Sequence, residues 1–259
     1  MRIVHLADLH LGFRQFQRQT QMGTNQREAD IAQAFTRAID AVIALKPDLV
    51  LIAGDIFHSV RPTNPAILHA FIQLSKLVGT LTAVRVVMVA GNHDLPKTTD
   101  AGCILNLFGR LDRIDVATFR AERFNYDHLG VSVLAVPYML SRPALEPDPD
   151  FQRNILLIHG QVEDVIPRWV AEADRAVIAI KPEELQAKRF DYVGLGHYHV
   201  YHRVAPNAWY AGSTEYASTN PWGELYEEKD TKVPGKGFIE HDLDTGAHRF
   251  HRLDAARAR

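Results

Sequence analysis

Five short apolar runs along the chain each end in residues that can ligate a metal ion. Arg2–Leu6 runs into Asp8-Leu9-His10, and Leu49–Ala53 into Gly54-Asp55-Ile56-Phe57-His58. Residues 84–89 run into Gly91-Asn92-His93-Asp94, 155–158 into His159-Gly160, and 192–195 into Gly196-His197-Tyr198-His199. Their length and β-branched content predict strands. Runs that are apolar at nearly every position predict strands covered on both faces, as in a layered α/β fold. In such folds, ligands collect beyond the carboxyl ends of the strands. Five such ends side by side would bring two carboxylates, one amide and up to six imidazoles to one crevice.

The segments between the runs support this layering. Ile31, Phe35, Ala38, Val42 and Leu45 recur at spacings of 4, 3, 4 and 3, one face of a helix. Asn64-Pro65 reads as an N-cap followed by Pro at the first helical position, with Ile67, Phe71, Leu74 and Val78 as that helix's inner face. Further strands are predicted at Val131–Val136, 209–211 and 238–243. Pro137, Pro143, Pro147 and Pro149 mark an irregular connection. The charged, Gly/Pro-punctuated stretch 224–236 reads as a mobile loop, and the tail 255–259 as a fraying end.

Taken singly, each metal-binding block is weak. A lone Asp after a strand is usually a turn residue, and Gly-Asn is a common turn pair. Five blocks in order are another matter. The nitrogen and oxygen donors, with no thiolate among them, suit Mn²⁺, Fe or Zn²⁺ in a reactive site better than a structural zinc site. They outnumber what one tetrahedral ion uses. Two ions sharing a carboxylate is the economical arrangement, and such pairs lie roughly 3.5–4 Å apart.

Composition narrows the function classes. Net charge is −2 over 259 residues, so any DNA contact must come from a local patch, from metal ions or from a partner. A single cysteine, Cys103, cannot form an intrachain disulfide. No apolar run approaches the roughly 18 residues of a membrane span. Asp8 interrupts the stretch where a signal peptide needs apolar residues. These features together predict a cytoplasmic protein.

The blocks DLH, GDIFH, GNHD, HG and GHYH together resemble the calcineurin-like metallophosphoesterase family. Within it, DLHLG at 8–12, GDIFH, the helix starting near Arg27 that leads into DLVLIAGD, and Gly212-Ser213-Thr214 are most similar to SbcD-type DNA repair exonucleases. The similarity covers roughly residues 1–220, and Ala211 stands where that subgroup usually has proline. It implies a four-layer α-β-β-α sandwich of two mixed sheets flanked by helices. It also implies one metallophosphoesterase domain over 1–259, with a DNA-capping domain absent or truncated.

Carried over position by position, the resemblance assigns Asp8, His10 and His199 to one metal and Asn92, His159 and His197 to a second, with Asp55 bridging both. His93 would be the catalytic histidine, beside the metals but not a ligand. Asp94 would orient it, and His58 would lie near the substrate. The implied cofactor is two divalent ions, Mn²⁺ foremost. The implied activity is a DNA nuclease with 3′→5′ exonuclease and some endonuclease action. The implied partners are DNA and an SbcC-type coiled-coil ATPase, with a homodimer left open. Arg14, Arg18 and Arg61 follow metal blocks and could track phosphates.

A small-molecule phosphodiesterase, acting on cyclic nucleotides or nucleotide pyrophosphates, would use the same blocks. The wall of the site separates the two: a nuclease needs an open groove with basic residues, a small-molecule enzyme a closed pocket. A non-catalytic scaffold is disfavoured, because every expected ligand and His93 is present.

Overall fold

The computed structural model describes residues 1–139, 141–165, 179–229, 231, 233 and 235–255. Its first strands are β1 (Arg2–Leu6), β2 (Leu49–Ala53), β3 (Arg85–Val89), β4 (Ile114–Ala117), β5 (Glu122–Tyr126) and β6 (Val131–Val136). Then follow β7 (Arg153–His159), β8 (Gln161–Val162), β9 (Ala179–Ile180), β10 (Tyr192–Gly196), β11 (His202–Ala205), β12 (Ala208–Tyr210), β13 (Gly237–Asp242) and β14 (His248–Arg252). The α-helices are α1 (Gln26–Leu45), α2 (Asn64–Thr80) and α3 (Pro221–Glu228).

The strands form two six-stranded sheets, ordered β14-β13-β1-β2-β3-β4 and β11-β12-β10-β7-β6-β5, and β8 pairs with β9 separately. Both sheets are mixed. β1 to β4 are parallel, whereas β13 and β14 run antiparallel. β6, β7, β10 and β12 are parallel, with antiparallel edges at β5 and β11.

The continuous apolar runs now have a physical reason. Along β1 to β3, Ile3, Leu49, Leu51 and Val87 face the second sheet, where they meet Val133, Ile155 and Leu157. Their alternates Val4, Leu6, Val50, Ile52, Val86 and Met88 face α1 and α2. With both faces dry, alternation disappears from the sequence. The outer face of the second sheet packs Leu134, Leu156 and Val193 against Leu145, Leu185 and Phe190 from its connecting segments.

Helix α1 begins where Asn25 accepts the N–H groups of Arg27 and Glu28, and it ends at Lys46 in the left-handed region. Three expectations are corrected. Thr63, not Asn64, caps α2, because its hydroxyl accepts from the Ala66 N–H. The inner face of α2 is Ala66, Ala70, Leu74, Leu77 and Val78, and Phe71 is exposed. Residues 221–228 within and just before the expected loop 224–236 form α3, with Asn220 as its cap. The expected fraying tail, apart from Ala255, lies outside the described residues.

Candidate metal centre

β1, β2 and β3 of one sheet and β7 and β10 of the other end at a shared edge. Gly196 pairs with His159 across β10 and β7. The loops after β1 and β2 stay tied, the Asp8 N–H donating to the Gly54 carbonyl at 3.0 Å and the His10 N–H to the Asp55 carbonyl at 2.9 Å. Asp8, His10, Asp55 and His197 hold φ of 52°, 46°, 50° and 110°. Left-handed backbone breaks the alternation of a strand, and for residues other than glycine it costs about 1–3 kcal/mol each. Two glycines are there for space. A Cβ at Gly91 would overlap the Asp55 carboxylate, and one at Gly196 would overlap the Ala53 carbonyl.

Two donor sets that include a carboxylate converge, beside a third group of His10, His58 and His93. The ligand atoms of Asp8, His10 and His199 lie within 4.8 Å of one another, as do those of Asp55, His159 and His197. Asn92 joins the second set, its Oδ1 lying 3.0 Å from His159 Nε2 and 3.1 Å from His197 Nδ1. Asp55 stands between the sets, with Oδ2 at 3.8 Å from His10 Nε2 and 3.5 Å from His159 Nε2. His10 Nε2 and His199 Nε2 are 2.9 Å apart. Two nitrogens about 2.1 Å from a common ion lie roughly 3 Å apart at a right angle, so this spacing fits a cation between them.

The outer ring nitrogens are engaged as ligand histidines require. His159 Nδ1 lies 2.8 Å from the Ala53 carbonyl, and His199 Nδ1 lies 3.0 Å from Glu224 Oε1. Burial pushes Asp8 up to about 6, against the pull of His199 and His159. Burial also pushes Asp55 up, but His159 and His93 outweigh it and hold the carboxyl below its usual range. Burial and the charges of His199 and His93 keep His10 well below the ordinary imidazole value. Buried carboxylates and imidazoles crowded in this way are what bound cations would balance. The residues therefore fit a pair of divalent ions.

His93 and His58 line the same cleft, which has a volume of about 230 Å³. Their rings stack at 5.1 Å, and His93 Nδ1 lies 3.0 Å from the His58 carbonyl. The His93 N–H donates to Asp55 Oδ1 at 2.9 Å. Asp94 differs from expectation. Its carboxylate accepts the backbone N–H groups of Ile56, Phe57 and Gly91, and among the described residues it makes no hydrogen bond or ion pair with the His93 ring. Burial, with the Asp55 charge second, pushes Asp94 up to about 7 against those three amides.

The three arginines part company. Arg14 is ion-paired with Glu28 at 2.7 Å. Arg18 is exposed on a cavity beside the cleft, the two sharing Ser218 in their walls. Arg61 lines a different cavity, with Cys103 and Ile104.

Sequence reasoning missed the group behind His199. Glu224 and Lys236 are buried there, with Lys236 Nζ 2.6 Å from Glu224 Oε2. A signal was available. Asn220-Pro221 repeats the polar-residue-then-Pro pattern that was read as a helix start at Asn64-Pro65.

Fold and site together define a layered α/β protein with a histidine–aspartate metal centre at its strand ends. The model of the Calcineurin-like phosphoesterase family matches residues 1–201, and the chain belongs to that family. It is similar to the DNA double-strand break repair protein Mre11 of Methanococcus maripaludis, 29% identical over 94% of this chain. Mre11 of Methanocaldococcus jannaschii is 30% identical over the same share. The chain spans 63% of the length of each of these relatives. Among solved structures, the crystal structure of TT1561 of Thermus thermophilus superposes with a TM-score of 0.51 at 9% identity. That comparison covers 97% of this chain and 98% of the other, and it shows the fold alone. No helix among the described residues is long and apolar enough to cross a membrane.

Proposed function

We propose that this chain is the catalytic module of a DNA repair nuclease that hydrolyses phosphodiester bonds with two divalent cations, Mn²⁺ foremost. The observation that carries the reading is Asp55, whose one carboxylate stands between two histidine sets. Relatives named for double-strand break repair, aligned over 94% of the chain, supply the substrate class. The whole of 1–259 acts as one domain in this reading.

Asp8, His10 and His199 would hold one cation, Asn92, His159 and His197 the other, and Asp55 both. Bound there, such a pair would neutralise the phosphodiester's charge and make hydroxide available near neutral pH. The chain's own residues do the rest. His93, oriented by the His58 carbonyl, stands beside the cleft and delivers a proton to the leaving oxygen or stabilises the charged transition state. Asp94 ties the loops after β2 and β3 and so sets the distance between His93 and Asp55. His58 meets the substrate beside His93, and Arg18 is the arginine best placed to follow a DNA backbone out of the cleft. Exonuclease polarity 3′→5′, endonuclease action, a coiled-coil ATPase partner, a homodimer and a cytoplasmic location belong to the same reading.

The test is to incubate the Mn²⁺-loaded protein with end-labelled DNA and with a cyclic nucleotide side by side. Shortening of the DNA with little turnover of the nucleotide supports the nuclease. Intact DNA beside rapid nucleotide hydrolysis replaces it with a small-molecule phosphodiesterase.

A further inference from the structure

Helix α3 brings charge into the interior without adding a donor to either set. The side chains of Glu224 and Lys236 are 6% and 0% exposed. A buried ammonium is tolerated only when its charge and its hydrogens all find partners. Lys236 Nζ donates to the His199 carbonyl at 2.8 Å. It also lies 2.6 Å from Glu224 Oε2 and 3.3 Å from Glu228 Oε1, with the Tyr216 ring centre 4.6 Å away. Glu224 uses its other oxygen, Oε1, to accept from His199 Nδ1 at 3.0 Å and from the Ser218 N–H at 2.8 Å. The lysine thus reaches His199 by two routes, through Glu224 to the ring and directly to the backbone.

Filling this space does not require charge. Apolar side chains of similar volume would pack with a smaller desolvation penalty. What the ionic arrangement supplies is direction. A neutral imidazole carries its proton on either nitrogen, and the partner of one nitrogen decides which. A carboxylate at Nδ1 keeps the proton there and leaves the Nε2 lone pair facing His10 Nε2, 2.9 Å away. An ammonium behind the carboxylate keeps it charged and in place.

We propose that Glu224 and Lys236 form one positioning unit for the cation held by Asp8, His10 and His199. Glu224 fixes the tautomer and tilt of His199, and Lys236 locks Glu224 to the His199 backbone. The proposal rests on the reading of that trio as a cation site. It makes the two cations unequal, because His159 in the other set takes its orientation from the Ala53 carbonyl instead.

The experiment is a calorimetric Mn²⁺ titration of chelator-stripped protein that reads two binding constants, with folding followed by circular dichroism. Glu224→Gln keeps the side chain's size and should weaken one constant by about 10–100-fold, the usual effect of losing a partner behind a metal ligand. The other constant should stay unchanged. Lys236→Met should act on the same constant. The triple variant Glu224→Gln/Glu228→Gln/Lys236→Met removes all three charges of the buried cluster, so its unfolding midpoint should return toward the wild-type value while the weakened constant stays weak. A merely structural role makes affinity recover together with stability, and that result overturns the proposal. So does Glu224→Gln binding both ions as tightly as the wild type. If Lys236→Met does not fold, Glu224→Gln decides alone. A wild-type protein that binds fewer than two Mn²⁺ ions sinks the cation-site reading itself, before any substitution is compared.

Discussion

The Asp94 carboxylate accepts the Phe57 backbone N–H at 2.9 Å, so a side chain from the loop after β3 closes hydrogen bonds in the loop after β2. Its further bonds, to the Ile56 and Gly91 N–H groups, join both loops at the point where Asp55 and His93 project. Asp94→Ala leaves three buried donors unanswered, each worth about 1–3 kcal/mol. We expect it to lower the unfolding free energy of the metal-free protein severely in urea titration, and Asp94→Asn less so. A midpoint unchanged in Asp94→Ala would refute this bracing role.

Asp55→Asn keeps the shape of the side chain that stands between the two donor sets but removes its charge. The wild type should hold two Mn²⁺ ions per chain and the variant fewer than one, with activity lost in parallel. Anomalous scattering from Mn²⁺-soaked crystals reads this directly, and wild-type crystals with no metal density near Asp55 would refute it.

His93→Gln separates chemistry from binding. The His93 ring stacks on His58 and groups with it and His10 in a trio without a carboxylate, outside the Asp8 and Asp55 sets, so the variant should keep its Mn²⁺ content. Its rate should fall by about 10²–10⁴, the usual contribution of a positioned acid–base group. Metal loss in proportion to activity would show that His93 is a ligand.

Arg18 and Arg14 should behave differently toward DNA. Arg18→Ala should weaken binding regardless of sequence and flatten the slope against log salt by about one unit. Arg14→Ala should do less, because Glu28 already neutralises that guanidinium. Hydrolysis of bis-p-nitrophenyl phosphate should barely change in either, since so small a diester does not reach the rim. Equal loss on both substrates would place Arg18 in the catalytic cleft instead.

His5 lies between the sheets with Nδ1 3.0 Å from the Tyr192 hydroxyl. Burial, with the nearby His248 second, pulls its pKa from 6.5 down to about 3. The unfolded chain therefore takes up a proton near pH 6.5 that the folded chain refuses until about pH 3. Stability from this group is complete above pH 6.5 and falls as the pH drops below it, by about 1.4 kcal/mol per unit. Thermal unfolding of metal-free His5→Phe should depend less steeply on pH between 6.5 and 5 than the wild type. An unchanged slope would clear His5 of this role.

What could be read from the sequence follows burial. β1, β2 and β6 keep the boundaries their apolar runs predict, because each has a sheet neighbour on both sides and dry contacts above and below. β4, β5, β11 and β14 went unread, and all four are sheet edges. Edge strands such as His202–Ala205 and His248–Arg252 are half-exposed, so their polar residues hide the pattern. The donors were legible because each follows a buried run. Glu224 and Lys236 were not. Charged residues in a Gly/Pro-rich stretch look solvated until their partners, here each other and His199, are known.

The left-handed backbone at Asp8, His10, Asp55 and His197 has one more consequence. At about 1–3 kcal/mol each, four such residues store on the order of 4–12 kcal/mol. A whole domain is stabilised by only about 5–15 kcal/mol. Glycine at these positions would release that tension, but at Asp55 and Asp8 it would also strip the His93 and His197 N–H groups of their acceptors, a loss of similar size. A search for more heat-resistant versions of this chain should therefore find its gains outside these four positions, at sites where relieving the backbone does not give up a buried side chain's contacts.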